Sequence, residues 1–395
     1  MTRNTPKPEL LAVFLHSAEI ERYSYPDYCP FKTNRAVSTR KTAVSMGFFP
    51  PSFTAEIVPD SADREVLLEF HTGEYLDALV TAPEKGPSPY YLAMGIGTED
   101  CPIFEGMYDY ARLVCGASLK GAELILAGKT LRAFNPSGGF HHASPSTAAG
   151  FCYINDIVLS CMKLANAGKR VAAIDLDVHH GEGVQDAFYD RDDVLYMSFH
   201  QNGDTLFPGS GAVRESGRGK GEGYTVNVPL PPGTYDEVYI DAFRQVAVPL
   251  LGAYDPDIIV LELGMDGLAG DPLADLDLTN NAYAAVIEHI LDLEKPVLAT
   301  GGGGYNVDNT ARGWALAWQI LSGSDITDAA SLGGGGVLLE NTDWSGGLRD
   351  RRRAPTSVQR KTVEPAMELV ISEVIDRIFP VHGLVAGERG GGPSH

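Results

Sequence analysis

The chain has 395 residues, 44% of them hydrophobic and 9% aromatic, which supplies a large folded core and excludes a disordered or low-complexity polymer. Its 31 basic and 52 acidic residues leave a net charge of −21, which disfavours nucleic acid and suits either simple solubility or attraction of lysine-rich segments. The cysteines (Cys29, Cys101, Cys115, Cys152 and Cys161) form no CxxC pair, Met1 to Pro8 is polar, and no apolar run could span a bilayer, so a reduced cytoplasmic protein without membrane partner is expected.

In chain order, Leu10 to Leu15 predicts a strand, and Tyr108 to Ala127 a helix closed by Gly128. Phe151 to Ala167 has helical periodicity and stops at Gly168. Val171 to Val178, Val194 to Phe199 and Tyr224 to Val228 read as strands, followed by a helix over Val238 to Leu251. Ile258 to Leu263 is a buried strand, Tyr283 to Leu293 a helix, Pro296 to Thr300 a strand and Thr310 to Leu321 a helix. This alternation predicts a single-domain α/β fold, with a central, mainly parallel sheet and helices on both faces. Functional residues are then expected where strands meet loops at the carboxyl edge. Beyond Ser331, Gly333 to Gly336 and the basic Arg349 to Arg353 read as surface loop, and Val363 to Phe379 as helix. A catalytic domain over 1–380 is expected, with 331–380 an extension packed on it and 381–395 a disordered tail.

Four segments carry candidate chemistry. VAAIDLDVHHGEG, from Val171 to Gly183, places Asp175, Asp177 and His179 at alternate positions, on one side of an extended strand. Two carboxylates and an imidazole crowded together call for a cation, unless they are merely solvated residues at a strand end. Asp266, flanked by Gly264 and Gly267, follows another buried strand, where it could equally cap a helix. His141 and His142 lie in the glycine-rich PSGGFHH, and GGGGY presents Tyr305 just past a strand. Surface histidines and a flexible turn are the plain alternatives; a phosphate loop lacks its GK[ST]. Combined, Asp177, His179 and Asp266 would hold one divalent metal and leave a position open, the catalytic pattern. The histidine pair would serve as general base and acid, with Tyr305 donating to an oxyanion, which amounts to amide hydrolysis.

GGFHHASPSTAAGFCYIND, DLDVHHGEGV, GDPL and GGGGYN resemble zinc-dependent histone deacetylases of the class I kind and their bacterial relatives, the acetoin utilization proteins. The resemblance runs from about Leu11 to Leu321. It implies the arginase/deacetylase-type fold and hydrolysis of acyl-lysine in proteins or peptides. It also implies metal ligands Asp177, His179 and Asp266 for zinc, with iron(II) as the alternative. His142 would be the main base and acid, His141 its electrostatic neighbour, with Asp175 behind His141 and Glu182 behind His142. Tyr305 would clamp the carbonyl and Asp100 the substrate backbone. Gly150, Phe151 and Phe207 would line a tunnel, with Leu273 at its mouth and Arg35 beside an inner pocket. Potassium ions are implied at Asp175, Asp177, His179, Ser198 and Phe199, and at Phe188, Arg191, Val194 and Tyr224. Glu182, Glu262, Met265 and Phe140 depart from the residues usual in the family, and Met265 leaves acyl preference open.

Three other readings stay in play. An acetylpolyamine amidohydrolase would want a carboxylate at the mouth, where Leu273 stands with Asp275 and Asp277 nearby. An arginase-like ureohydrolase would need ligands for a second metal. A non-catalytic acyl-lysine binding protein would not need the intact metal, histidine and tyrosine set.

Overall fold

The computed structural model describes residues 8–324 and 347–385. Its strands are β1 (Leu10–Leu15), β2 (Thr54–Ile57), β3 (Thr130–Asn135), β4 (Val171–Asp175), β5 (Val194–Gln201), β6 (Thr225–Leu230), β7 (Ile258–Glu262) and β8 (Val297–Thr300). They form one eight-stranded sheet in the order β2-β1-β3-β8-β7-β4-β5-β6. Every pairing between these strands is parallel. The first helices are α1 (Asn34–Ser45), α2 (Arg64–Leu67), α3 (Gly73–Lys85), α4 (Pro89–Leu92) and α5 (Met107–Leu126). The rest are α6 (Asp156–Asn166), α7 (Glu182–Phe188), α8 (Asp236–Tyr254), α9 (Asn280–Leu291), α10 (Val307–Ser322) and α11 (Ser357–Ile378). No helix among the described residues is long and apolar enough to cross a membrane.

Strand periodicity sorts the core onto two faces. On β4, Val171 and Ala173 join Ile125, Val158 and Val184 of α5, α6 and α7. Ala172 and Ile174 join Val246, Ile287, Trp314 and Val374 of α8, α9, α10 and α11 on the other face. Each buried aliphatic side chain stabilises the fold by about 1.5–3 kcal/mol. Both faces being covered explains why the central strands are apolar throughout rather than alternating.

That apolar rule breaks at the carboxyl edge. Asn135 pairs with Thr300, Thr300 with Glu262, Glu262 with Asp175, Asp175 with Ser198, and Ser198 with Asn227. In-register residues of parallel strands point the same way, so these polar side chains form one buried row on the α5–α7 face. Because β7 and β8 insert between β3 and β4, the loops after four adjacent central strands open together above this row.

Several boundaries differ from the sequence reading. The helix expected from Phe151 begins only at Asp156: Phe151 has a left-handed φ of 68°, and the Asn155 side chain caps the Val158 amide. β4 stops at Asp175, so Asp177 and His179 lie past the strand rather than on its alternating face. Their backbone amides turn to side chains instead, Asp177 N donating to Asp175 Oδ1 and His179 N to Asp177 Oδ1. Past the sheet, α11 starts at Ser357 with a capping box between Thr356 and Gln359, and packs on α8 and β6. The tail expected from residue 381 is ordered as far as it is described: His382 Nε2 donates to the Gly223 carbonyl at 2.8 Å. Gly333 to Gly336 and residues 386–395 lie outside the described residues.

Candidate metal centre and active site

The loop after β4 supplies Asp177 and His179, and the loop after β7 supplies Asp266. His179 Nδ1 lies 3.1 Å from Asp177 Oδ1 and 3.0 Å from Asp266 Oδ2. The remaining carboxylate oxygens are held by the backbone, Asp177 Oδ2 by Gly303 N at 2.6 Å and Asp266 Oδ1 by Val178 N at 3.0 Å. One oxygen of each aspartate and one imidazole nitrogen therefore converge, all within 4.8 Å of one another and all buried. Glycines make the close approach feasible: a Cβ on Gly264 would strike Asp177, and one on Gly303 would strike Asp266.

Burial and the adjacent Asp177 push Asp266 up to about 7. Burial alone would lower His179, but its bonds to Asp177 and Asp266 carry it up to about 10. The cluster is thus costly as a set of bare charges, and a divalent cation would offset that cost. Two carboxylate oxygens and one imidazole nitrogen are a donor set that fits a catalytic zinc or iron(II) ion.

Beside it stands the histidine pair, from the loop after β3. The two Nε2 atoms meet at 3.0 Å, so both rings present a nitrogen to one point. His141 Nδ1 donates to Asp175 Oδ2 at 2.9 Å, and His142 Nδ1 to Glu182 Oε2 at 2.6 Å. Asp175 is fixed in turn by the Tyr196 hydroxyl at 2.9 Å. Burial and the neighbouring His141 lower the His142 pKa. For His141, burial is outweighed by the carboxylates around it, Asp175 and Asp177 among them, which raise it well above the ordinary imidazole value.

Glu262, in the sequence a departure from the residue usual in the family, is part of the site in the structure. Its Oε2 lies 3.2 Å from His141 Nδ1, and neither carboxylate oxygen accepts a hydrogen bond among the described residues. Register with Asp175 across β4 and β7 places it there, a pairing that no linear motif displays. His141, Asp177 and Glu262 also bring donor atoms within 4.8 Å of one another. Asp177 is common to both groups, and the two ring nitrogens of His141 face Asp175 and His142. Burial and Asp175 push Glu262 well above its unfolded value of 4.5. A raised carboxyl pKa costs stability once pH passes the unfolded value and costs nothing below it. Glu262→Gln is therefore expected to raise the melting temperature of the metal-free protein at neutral pH, with the gain fading as pH falls towards 4.5. A loss at neutral pH would show that His141 needs the full negative charge.

The remaining candidates surround this centre. The Phe207 ring stands edge-on 5.2 Å from His142 and is 48% exposed. The Phe151 ring lies 5.5 Å from Tyr305, and Leu273 packs half-buried against the same cluster. The Tyr305 ring is 6.3 Å from His179; burial, Asp266 and Asp177 hold its phenol well above the usual range, and so protonated. Its amide donates to Asp271 Oδ2 at 2.7 Å, a role for the GDPL aspartate that the sequence reading missed. Buried Arg35 donates to the Gly304 carbonyl at 2.9 Å and stacks on Phe31, which braces the tyrosine turn. Asp100 Oδ2 accepts the Gly150 amide at 2.8 Å.

Gly150 itself has φ 52°, and a Cβ there would collide with the His142 ring. Gly150→Ala is expected to lower kcat/KM about 100-fold by displacing that ring, while circular dichroism stays native. Unchanged kinetics would mean that the ring has room to move. Of the residues implied for monovalent cations, Asp175 and Ser198 are paired in register, and Phe199 follows on β5. Phe188 closes α7 and accepts the Arg191 amide at 3.0 Å, Val194 opens β5, and Tyr224 accepts the Tyr196 amide at 2.9 Å.

Residues 29–321 match the histone deacetylase domain family. The chain is 39% identical over 323 residues to histone deacetylase 8 of Xenopus tropicalis, covering 80% of this chain and 86% of that one. It is 35% identical over 320 residues to histone deacetylase RPD3 of Saccharomyces cerevisiae, covering 80% and 73%. The crystal structure of an HDAC homolog from Aquifex aeolicus superposes with a TM-score of 0.80 at 31% identity, covering 91% of this chain and 100% of that one. With three quarters of its length inside the family's domain and its fold shared with a solved homologue, the chain belongs to the histone deacetylase family of hydrolases.

Proposed function

We infer that this protein hydrolyses the amide of an ε-acetylated, or other short-chain acylated, lysine in a protein or peptide. The observation that carries the reading is the convergence of Asp177, His179 and Asp266 beside a carboxylate-backed histidine pair. A zinc or iron(II) ion held by Asp177, His179 and Asp266 would supply Lewis acidity and lower the pKa of a water. His142, kept neutral by burial and by His141, takes up the proton of the attacking water and later delivers it to the departing lysine amine. Glu182 fixes the His142 ring through Nδ1 and steadies its charged form. The protonated Tyr305 hydroxyl donates to the carbonyl oxygen as charge builds there. Phe151 and Phe207 enclose the apolar lysine stem, and Asp100 meets the substrate backbone. Structural potassium at the β4–β5 edge belongs to the same reading.

The test is a kinetic screen of lysine peptides carrying different acyl groups, run beside acetylspermidine, with metal content measured on the same sample. Turnover of an acyl-lysine peptide with metal present supports the reading. Preference for the polyamine moves the substrate class, and no turnover at all favours a binding protein. Tyr305→Phe is expected to cut kcat about 100- to 1,000-fold with metal content intact; metal loss in that variant would contradict its assignment to the oxyanion.

A further inference from the structure

Beside Asp100 the surface opens into a groove of about 550 Å³ lined by Tyr28, Pro30, Gly97, Thr98 and Glu99. Both of its walls are fastened to the Gly150–Phe151 peptide. On one side, Asp100 accepts the Gly150 amide at 2.8 Å and the Thr98 hydroxyl at 2.6 Å. On the other, the Tyr25 hydroxyl donates to the Phe151 carbonyl at 2.7 Å, and the Phe31 ring lies 5.8 Å from that of Phe151. Gly150 packs against His142 and Phe151 against Tyr305. The two loops that carry the groove are thus tied to the peptide that touches His142 and Tyr305.

Its lining has a definite chemistry. Tyr28 projects from the turn between Tyr25 and Phe31 and is 71% exposed, whereas Tyr25 on the same segment is buried. Glu99 is exposed, and no hydrogen bond or ion pair among the described residues engages its carboxylate. Lys32, on the same loop as Tyr28, donates instead to the Asp27 carbonyl at 2.9 Å. An open aromatic face next to a free carboxylate, on a chain of net charge −21, suits a cation on an apolar stem. A planar guanidinium fits best, since it can stack on the ring while it pairs with the carboxylate. An acidic side chain would meet Glu99 and Asp100 at once.

We propose that this groove is a subsite for a basic residue, arginine above all, that flanks the acylated lysine in the substrate. The subsite rests on the lysine reading given above. The test compares kcat/KM for acetyl-lysine peptides carrying Arg, Ala or Glu beside the acetyl-lysine, first on one flank and then on the other. The wild-type protein should prefer Arg over Ala by about three- to tenfold on one flank, and the preference should shrink with added salt. Glu99→Gln should bring that ratio close to one, and Tyr28→Ala should lower it. A wild-type ratio near one on both flanks, a preference for Glu, or a ratio that survives Glu99→Gln overturns the subsite and leaves the lysine reading standing. Failure to cut any lysine peptide overturns both.

Discussion

Asp177→Ala is expected to yield a folded protein that binds no metal at its centre and has no measurable turnover. Asp177 contributes one oxygen to the converging donor set through Oδ1, and its Oδ2 anchors Gly303, the backbone that also passes against Asp266. Its loss leaves two donors and loosens the loop after β8. The drop in metal affinity should exceed the about 10- to 100-fold that follows when only a supporting partner of a ligand is removed. Because β4 ends at Asp175, the sheet itself is untouched, and circular dichroism should remain native. Metal analysis on the purified variant, beside the wild type, checks this. A full equivalent of tightly held metal would show that the centre lies elsewhere.

His142→Ala should separate chemistry from metal binding, with kcat lowered about 10²- to 10⁴-fold and metal content unchanged. The wild-type pH profile offers a second check on the same residue. A base must be neutral to accept a proton, so activity is present above the folded pKa of His142 and is lost as pH falls through it. Burial and His141 lower that pKa from 6.5, so the acid limb of kcat/KM, measured with metal in excess, is expected on the acid side of 6.5. A limb above 6.5 would mean that Glu182 outweighs burial and keeps the ring charged. In His142→Ala this limb should vanish from whatever activity remains.

Much of the site was legible in linear motifs because ligands from one loop lie close together in the chain. Asp175 ends one strand and Asp177 and His179 come just after it, while His141 and His142 are adjacent. Alternation along a strand does not by itself bring the first three together. A strand extended to Val178 would have put them on one face, whereas Asp177 and His179 are aimed by side-chain bonds to backbone amides after the strand has ended. Elements with weak apolar patterns escaped notice. α1 buries Arg35, Ala36 and Thr39 rather than a run of large aliphatics, and β3 interrupts its apolar residues with Arg132 and Asn135.

What the sequence by itself determined is the kit of parts: alternating strands and helices, two aspartates and a histidine for a cation, a histidine pair and a tyrosine after glycines. Periodicity and residue chemistry are local properties, so a linear reading recovers them. What only the tertiary structure decided is which parts meet. The insertion of β7 and β8 between β3 and β4 brings four loops over one polar row, and strand register sets Glu262 beside Asp175 and His141. Such neighbours arise from pairing between segments far apart in the chain, where burial and hydrogen-bond geometry choose the partner and sequence spacing carries no trace of the choice.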